Sequence, residues 1–146
     1  MGIGWNMNKK KIELAMKRLL FVVMMMTCSV SWADWELTGK GDDLTHYHDK
    51  STIKINGITA QMWVMYEFPQ VRTNTDGDRY KSAKSLLGFN CKYETLAMIS
   101  VLQYSGPLGT GDVVLSETFN ESEWIWDRIV PNTLVKDELD IACGKK

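Results

Sequence analysis

The stretch KINGITAQMWVMYEF, residues 54–68, decides the fold. Asn56-Gly57 beside apolar residues is a strong β-hairpin signal, because both residues tolerate the positive φ that tight hairpin turns require. The run from Ile58 to Phe68 then reads as one long apolar strand with Trp63 in its core. Pro69 should end it, since proline has no amide to give a sheet ladder. On the other side of the turn Lys54–Asn56 reads as a very short strand.

Working outward, the same grammar repeats. Upstream, Leu44–His48 and Trp35–Thr38 read as strands separated by the turn cluster Gly39-Lys40-Gly41-Asp42-Asp43. Downstream, "RTNTDGD" (72–78) is a polar loop. Tyr80–Cys91 returns as a strand, with Leu87, Phe89 and Cys91 on one face. Glu94–Ser105 alternates through Leu96, Met98, Leu102 and Tyr104. "GPLGTG" (106–111) could suggest a phosphate cradle, but that needs a following helix and a Lys-Ser/Thr pair. Val113-Val114-Leu115 follows instead, so the segment reads as a turn before a last strand, Asp112–Thr118.

The C-terminal piece changes period. Pro131-Asn132-Thr133 is a helix start, and Val135, Leu139, Ala142 and Cys143 then share one face. Gly144 supplies the stop. The expected fold is therefore α+β: an antiparallel sheet of about six short strands, one C-terminal helix packed on it, and one disulfide.

Residues 1–33 have a different character. Met16-Lys17-Arg18 precedes an apolar run, Leu19–Met26, and the segment closes on Ser31-x-Ala33. This is the pattern of a secretory signal peptide, too short to span a bilayer. A signal beginning at Met16 is complete by itself, so either the natural start is Met16 or the n-region is merely long. The expected organisation is a signal region, 1–33, and a single domain, 34–146. Removing 1–33 takes Lys9, Lys10, Lys11, Lys17 and Arg18 from 17 basic residues and Glu13 from 18 acidic ones, leaving 12 and 17. The mature domain would carry a charge of about −5, which disfavours nucleic acid as a partner.

Of the three cysteines, Cys28 lies in the signal region. It would be either removed or lipidated, although Met25 and Thr27 stand where lipoprotein signals prefer Leu and a small residue. Cys91 and Cys143 remain, and one intramolecular pairing is open to them. Export would place them where a disulfide persists, and closing so long a loop is worth about 4 kcal/mol.

Both histidines of the chain lie in "THYHDKSTI" (45–53). On a strand, His46 and His48 point to one face and are the metal candidates. A third ligand is not marked nearby, because Asp49 would face the other way. Nor is there a nucleophile elbow to make either a catalytic base. The preferred reading is two half-exposed histidines at a strand end, with Asp49 accepting amides from the residues after it. No catalytic residue and no cofactor is expected. Trp35 and Trp126 are expected to cover the ends of the domain, and Trp124 to be exposed, as binding hot spots often are.

One set of motifs, in order, is more telling. It comprises Tyr47-His48-Asp49 with Ser51-x-Ile53, Trp63, Tyr80-Lys81-Ser82-x-Lys84, Phe89-Asn90-Cys91, Tyr104-Ser105-Gly106, Gly111-x-Val113 and Trp126-x-x-Ile129-x-Pro131, then a short helix and Cys143. The set spans nearly all of residues 34–146 and resembles the surface-adhesin protein E family, small exported domains of Gram-negative bacteria. The resemblance implies an antiparallel sheet packed with a C-terminal helix and the two cysteines linked. The family pattern carries an aromatic where His48 stands, so a histidine pair is not a family feature.

The resemblance also implies an exported, non-enzymatic binding module in the periplasm or on the outer-membrane surface. The expected partner is a protein: a host extracellular-matrix glycoprotein, an envelope protein, or a second copy as a homodimer. The alternative is a periplasmic metal-binding or envelope-maintenance protein.

Overall fold

Asn56 pairs with Thr59 across a two-residue turn. Gly57 has φ 59°, and Ile58 is not among the residues of positive φ. Only the first central residue is left-handed, which is the pattern of a II′ hairpin and demands glycine there. The signal dipeptide thus acts one residue later than Asn-Gly usually does, with Gly57-Ile58 at the tip.

The structure, a computed structural model, describes residues 34–145. The signal region 1–33, the Met16 start and Cys28 lie outside the described residues. The strands are β1 (Glu36–Lys40), β2 (Thr45–Asn56), β3 (Thr59–Thr73), β4 (Arg79–Asn90), β5 (Thr95–Tyr104), β6 (Val113–Thr118) and β7 (Asp127–Arg128), and one helix, α1 (Leu134–Ala142), follows. The strands form one seven-stranded sheet in which β1 to β6 lie in chain order, every pair antiparallel, and β7 adds to β5. This is the α+β architecture expected, but the middle strands are long: β3 has 15 residues.

Three expected breaks are bulges inside continuous strands. The expected strands Leu44–His48 and Lys54–Asn56 are, from Thr45 on, one strand, β2, whose register shifts between Asp49 and Lys54. There Asp49 Oδ1 accepts the Ser51 N–H at 2.9 Å and its hydroxyl at 2.6 Å, and Thr52 Oγ1 takes the Trp63 N–H at 3.0 Å. The turn chemistry is spent on an extra loop of backbone while pairing resumes beyond it. Pro69 likewise does not end β3, since it sits in the irregularity between Glu67 and Arg72, where no ladder amide is needed. Gly39 lies at a bulge of β1 rather than in a turn. A Cβ there would collide with Leu134 of α1, so glycine lets the helix approach the strand. β7 had no sequence signal, being a two-residue pairing.

One face of the sheet carries the main core. Ala60, Met62, Val64, Leu87 and Phe89 pack with Ile129, Leu139 and Ala142. Trp63 was expected here, but strand alternation turns it to the other face, where it is half-buried. Thr133 caps α1 by accepting the Lys136 N–H at 3.3 Å. A helix of nine residues is marginal alone. Here it is held by Leu139 and Ala142 in the core and by the Cys91–Cys143 disulfide, whose Cα atoms are 5.8 Å apart. The bond joins the helix end to the residue just after β4.

The other face is covered differently. The segment 106–111 folds over β4 as a turn: Ser82 Oγ donates to Gly106 O at 2.7 Å and accepts the Gly109 N–H at 2.8 Å. Those amides are used within the fold, in keeping with a turn rather than an anion cradle. Lys84 Nζ lies 5.6 Å from the Trp35 ring and 5.0 Å from that of Tyr104, a cation–π pocket that Trp35 closes from the N-terminal side.

Candidate functional site

The two histidines are buried, not half-exposed, and they do not converge. His46 turns to α1, where its Nδ1 is 2.8 Å from Glu138 Oε1. Its ring meets Tyr66 edge-on at 4.8 Å, and the Tyr66 hydroxyl donates to Glu138 Oε2 at 3.4 Å. His48 turns to β1: its Nδ1 bonds Thr38 Oγ1 at 2.8 Å, and its Nε2 lies 3.7 Å from Glu36 Oε2. Among the described residues no group of three or more His, Cys, Asp or Glu side chains stands together as a metal site would require.

An acid beside a histidine and a tyrosine could in principle move protons. Glu138, however, is 0 % exposed. Burial raises its pKa, against the opposing pull of His46 and Tyr66. Burial and the Glu138 carboxyl together push the Tyr66 hydroxyl well above its ordinary value. Glu138 is enclosed while Tyr66 is half-buried, and the three side chains together fasten the helix to β2 and β3. Nothing in the sequence marked Glu138, which reads locally as one more charge on a helix.

The open geometry is on the opposite face. Register places Lys54 opposite Gln61, Gln61 opposite Gly88, and Gly88 opposite Ala97, a row across β2, β3, β4 and β5. Glycine inside a strand often marks a close approach by another group. Here the atom nearest to where a Gly88 Cβ would stand is Ile99 Cδ1, at 3.3 Å, and the outer edge of the Trp126 ring is in ordinary van der Waals contact at 3.6 Å. The ring is 40 % exposed. Trp124 meets it edge-to-face, centroids 6.2 Å apart. Trp124 is itself fixed by donating its Nε1–H to Phe119 O at 3.1 Å. Just before it, the 3-10 turn Glu121–Glu123 is closed by Glu123 Oε2, which accepts the Asn120 N–H at 2.7 Å.

These elements enclose a cleft of about 400 Å³, walled by Trp124 and Trp126 and rimmed by Lys54, Asn56, Gln61 and Glu121. That volume lies within the range of small-molecule sites, about 300–1,000 Å³. Trp126, expected to cover an end of the domain, thus forms part of a wall, and Trp124, expected to be exposed, is the half-buried prop beneath it.

Residues 35–144 match the family described as surface-adhesin protein E. The chain belongs to that family. No curated protein matches it in sequence. Its fold is similar to that of Haemophilus influenzae protein E. Against crystal form II of that protein the TM-score is 0.53 at 13% identity, covering 74% of this chain and 92% of the other. Against protein E from non-typeable Haemophilus influenzae it is 0.54 at 13% identity, covering 80% and 79%. Likeness at that identity concerns the fold, and it agrees with the arrangement of sheet and helix described above. Family membership makes the chain an adhesin-like surface protein. No helix among the described residues is long and apolar enough to cross a membrane, which says nothing about strands.

Proposed function

We propose that this adhesin E family protein is an exported, non-enzymatic binding module of a Gram-negative bacterium, and that it binds a host extracellular-matrix glycoprotein. The observation that carries the reading is the cleft at Trp124 and Trp126, held open on a family fold whose buried His46–Glu138 pair serves to fasten the helix. Exposed tryptophan beside unengaged polar groups is what binding hot spots are made of. In this reading residues 1–33 direct export, and the working protein begins at Asp34 or at a lipidated Cys28. Mass spectrometry of protein recovered from the cell envelope distinguishes those two.

The test is solid-phase binding of the exported protein to immobilised, purified matrix glycoproteins, with albumin as carrier control. Saturable binding to a glycoprotein and not to albumin supports the reading. Signal no higher than the albumin control removes it.

A further inference from the structure

The cleft has a more specific chemistry than a general contact surface. Its walls are two indoles and its rim holds both charges and two carboxamides. No side-chain hydrogen bond within the described fold engages Lys54 Nζ, the Asn56 or Gln61 amide, or the Glu121 carboxylate. We propose that the cleft binds a short saccharide, its pyranose ring resting on Trp126 and its hydroxyls bonded to the rim. The proposal rests on the reading of the protein as a glycoprotein-binding module and names the glycan as the part of the ligand that enters.

Three observations favour a sugar over other occupants. A hydroxyl both donates and accepts, so the same ligand satisfies ammonium, carboxylate and amide together. A pyranose also has an apolar face of C–H groups that matches an exposed indole, whose ring carries the negative face of its quadrupole. The platform is prearranged: Trp124 is tied to Phe119 O, Trp126 sits over Gly88, and little ordering remains to be done on binding. A peptide bound by strand addition would need an open strand edge, but β2, β3 and β4 are each paired on both sides. A quaternary ammonium would meet the Lys54 charge at the rim.

The experiment uses the exported protein, its Trp126→Ala and Glu121→Ala variants, a printed array of mammalian glycans, and one matrix glycoprotein before and after enzymatic deglycosylation. Glu121 is exposed in a 3-10 turn, so its loss leaves the fold alone, and circular dichroism checks both variants. Array binding that falls about tenfold or more in Trp126→Ala, a loss of ~1.4 kcal/mol, supports the site. A several-fold fall in Glu121→Ala with an unchanged melting temperature supports it independently of any unfolding. Binding to the glycoprotein that survives deglycosylation, with an empty array, overturns the saccharide and leaves the binding module standing. Array binding without glycoprotein binding does the reverse. Array binding that neither variant weakens also overturns the site.

Discussion

His46 Nδ1 lies 2.8 Å from Glu138 Oε1, although the two residues are 92 apart in sequence. The bond joins β2 to α1 beneath the surface, and Tyr66 of β3 closes it from the side. A carboxyl that is 0 % exposed must have a partner, because burying it alone is costly. The pair therefore fixes where the helix sits, while Leu139 and Ala142 supply the apolar burial.

Removing His46 should thus be worse than neutralising Glu138. His46→Ala strands the carboxyl and should cost about 3 kcal/mol, the scale for breaking a buried pair. Glu138→Gln keeps an acceptor for His46 and the shape of the side chain, and should cost about 1 kcal/mol. In urea unfolding, the double variant should be less destabilised than the sum of the singles, since the two share one interaction. Additive losses would show that the contact does not couple helix to sheet.

The disulfide is the second pin. Cys143→Ser should lose about 2–5 kcal/mol, because it frees a chain segment in the unfolded state and unties a helix that is marginal alone. Hydrogen exchange should quicken first in α1, Leu134–Ala142, and last in the central strands β3 and β4. Reduced wild type should melt like the variant, and reductant should not change the variant's own melting. Free thiols at Cys91 and Cys143 in exported protein would defeat this prediction.

Gly57 allows a test of the hairpin. At φ 59° with no atom within 4 Å of a would-be Cβ, any loss on substitution comes from backbone strain and not from a clash. Gly57→Val should cost about 1–2 kcal/mol, the penalty of left-handed backbone for a side chain with a Cβ. Gly88→Val, in contrast, meets Ile99 and Trp126 on ordinary extended backbone, and should disturb the tryptophan fluorescence more than Gly57→Val does. Equal spectral changes in the two variants would mean that Trp126 does not rest on Gly88.

How far the sequence could be read depended on the range of the determining interaction. The hairpin at Gly57, the helix capped by Thr133 and the pairing of Cys91 with Cys143 have local or arithmetical signals, and each was legible. The bulge after Asp49 was not. Asp-Lys-Ser reads as a turn, but the Thr52–Trp63 bond bridges the strands there and the ladder resumes at Lys54–Gln61. Trp63 illustrates a different gap. Alternation separates Met62 and Val64 from Trp63, but which set faces the core depends on where α1 lands. The cleft was half legible, because an exposed Trp124 or Trp126 could be suspected. The glycine that seats Trp126 lies in β4, far away in the chain, and was seen only as one residue of a strand.

The remaining prediction concerns acid. His48 is 3 % exposed, with Nδ1 bonded to Thr38 and no hydrogen-bond partner for Nε2 among the described residues. Burial holds its pKa below the ordinary value of 6.5; Glu36 and Asp49 pull upward, and Lys50 adds to the lowering. The unfolded chain therefore binds this proton more readily than the fold does. His48's contribution to stability is fully present above about pH 6.5 and is lost as pH falls through its depressed folded pKa. Glu138 acts in the opposite sense. Its raised pKa favours the fold at low pH, and that contribution is lost as pH rises from 4.5 through the folded value. His48 therefore gives stability a component that declines as pH falls below about 6.5, whatever Glu138 adds in the opposite sense. His48→Gln, which keeps a group for Thr38 to bond but does not titrate, should flatten the decline. Urea midpoints measured from pH 7.5 down to about 5 in both proteins test it. Parallel slopes in wild type and variant would assign the acid sensitivity to another group.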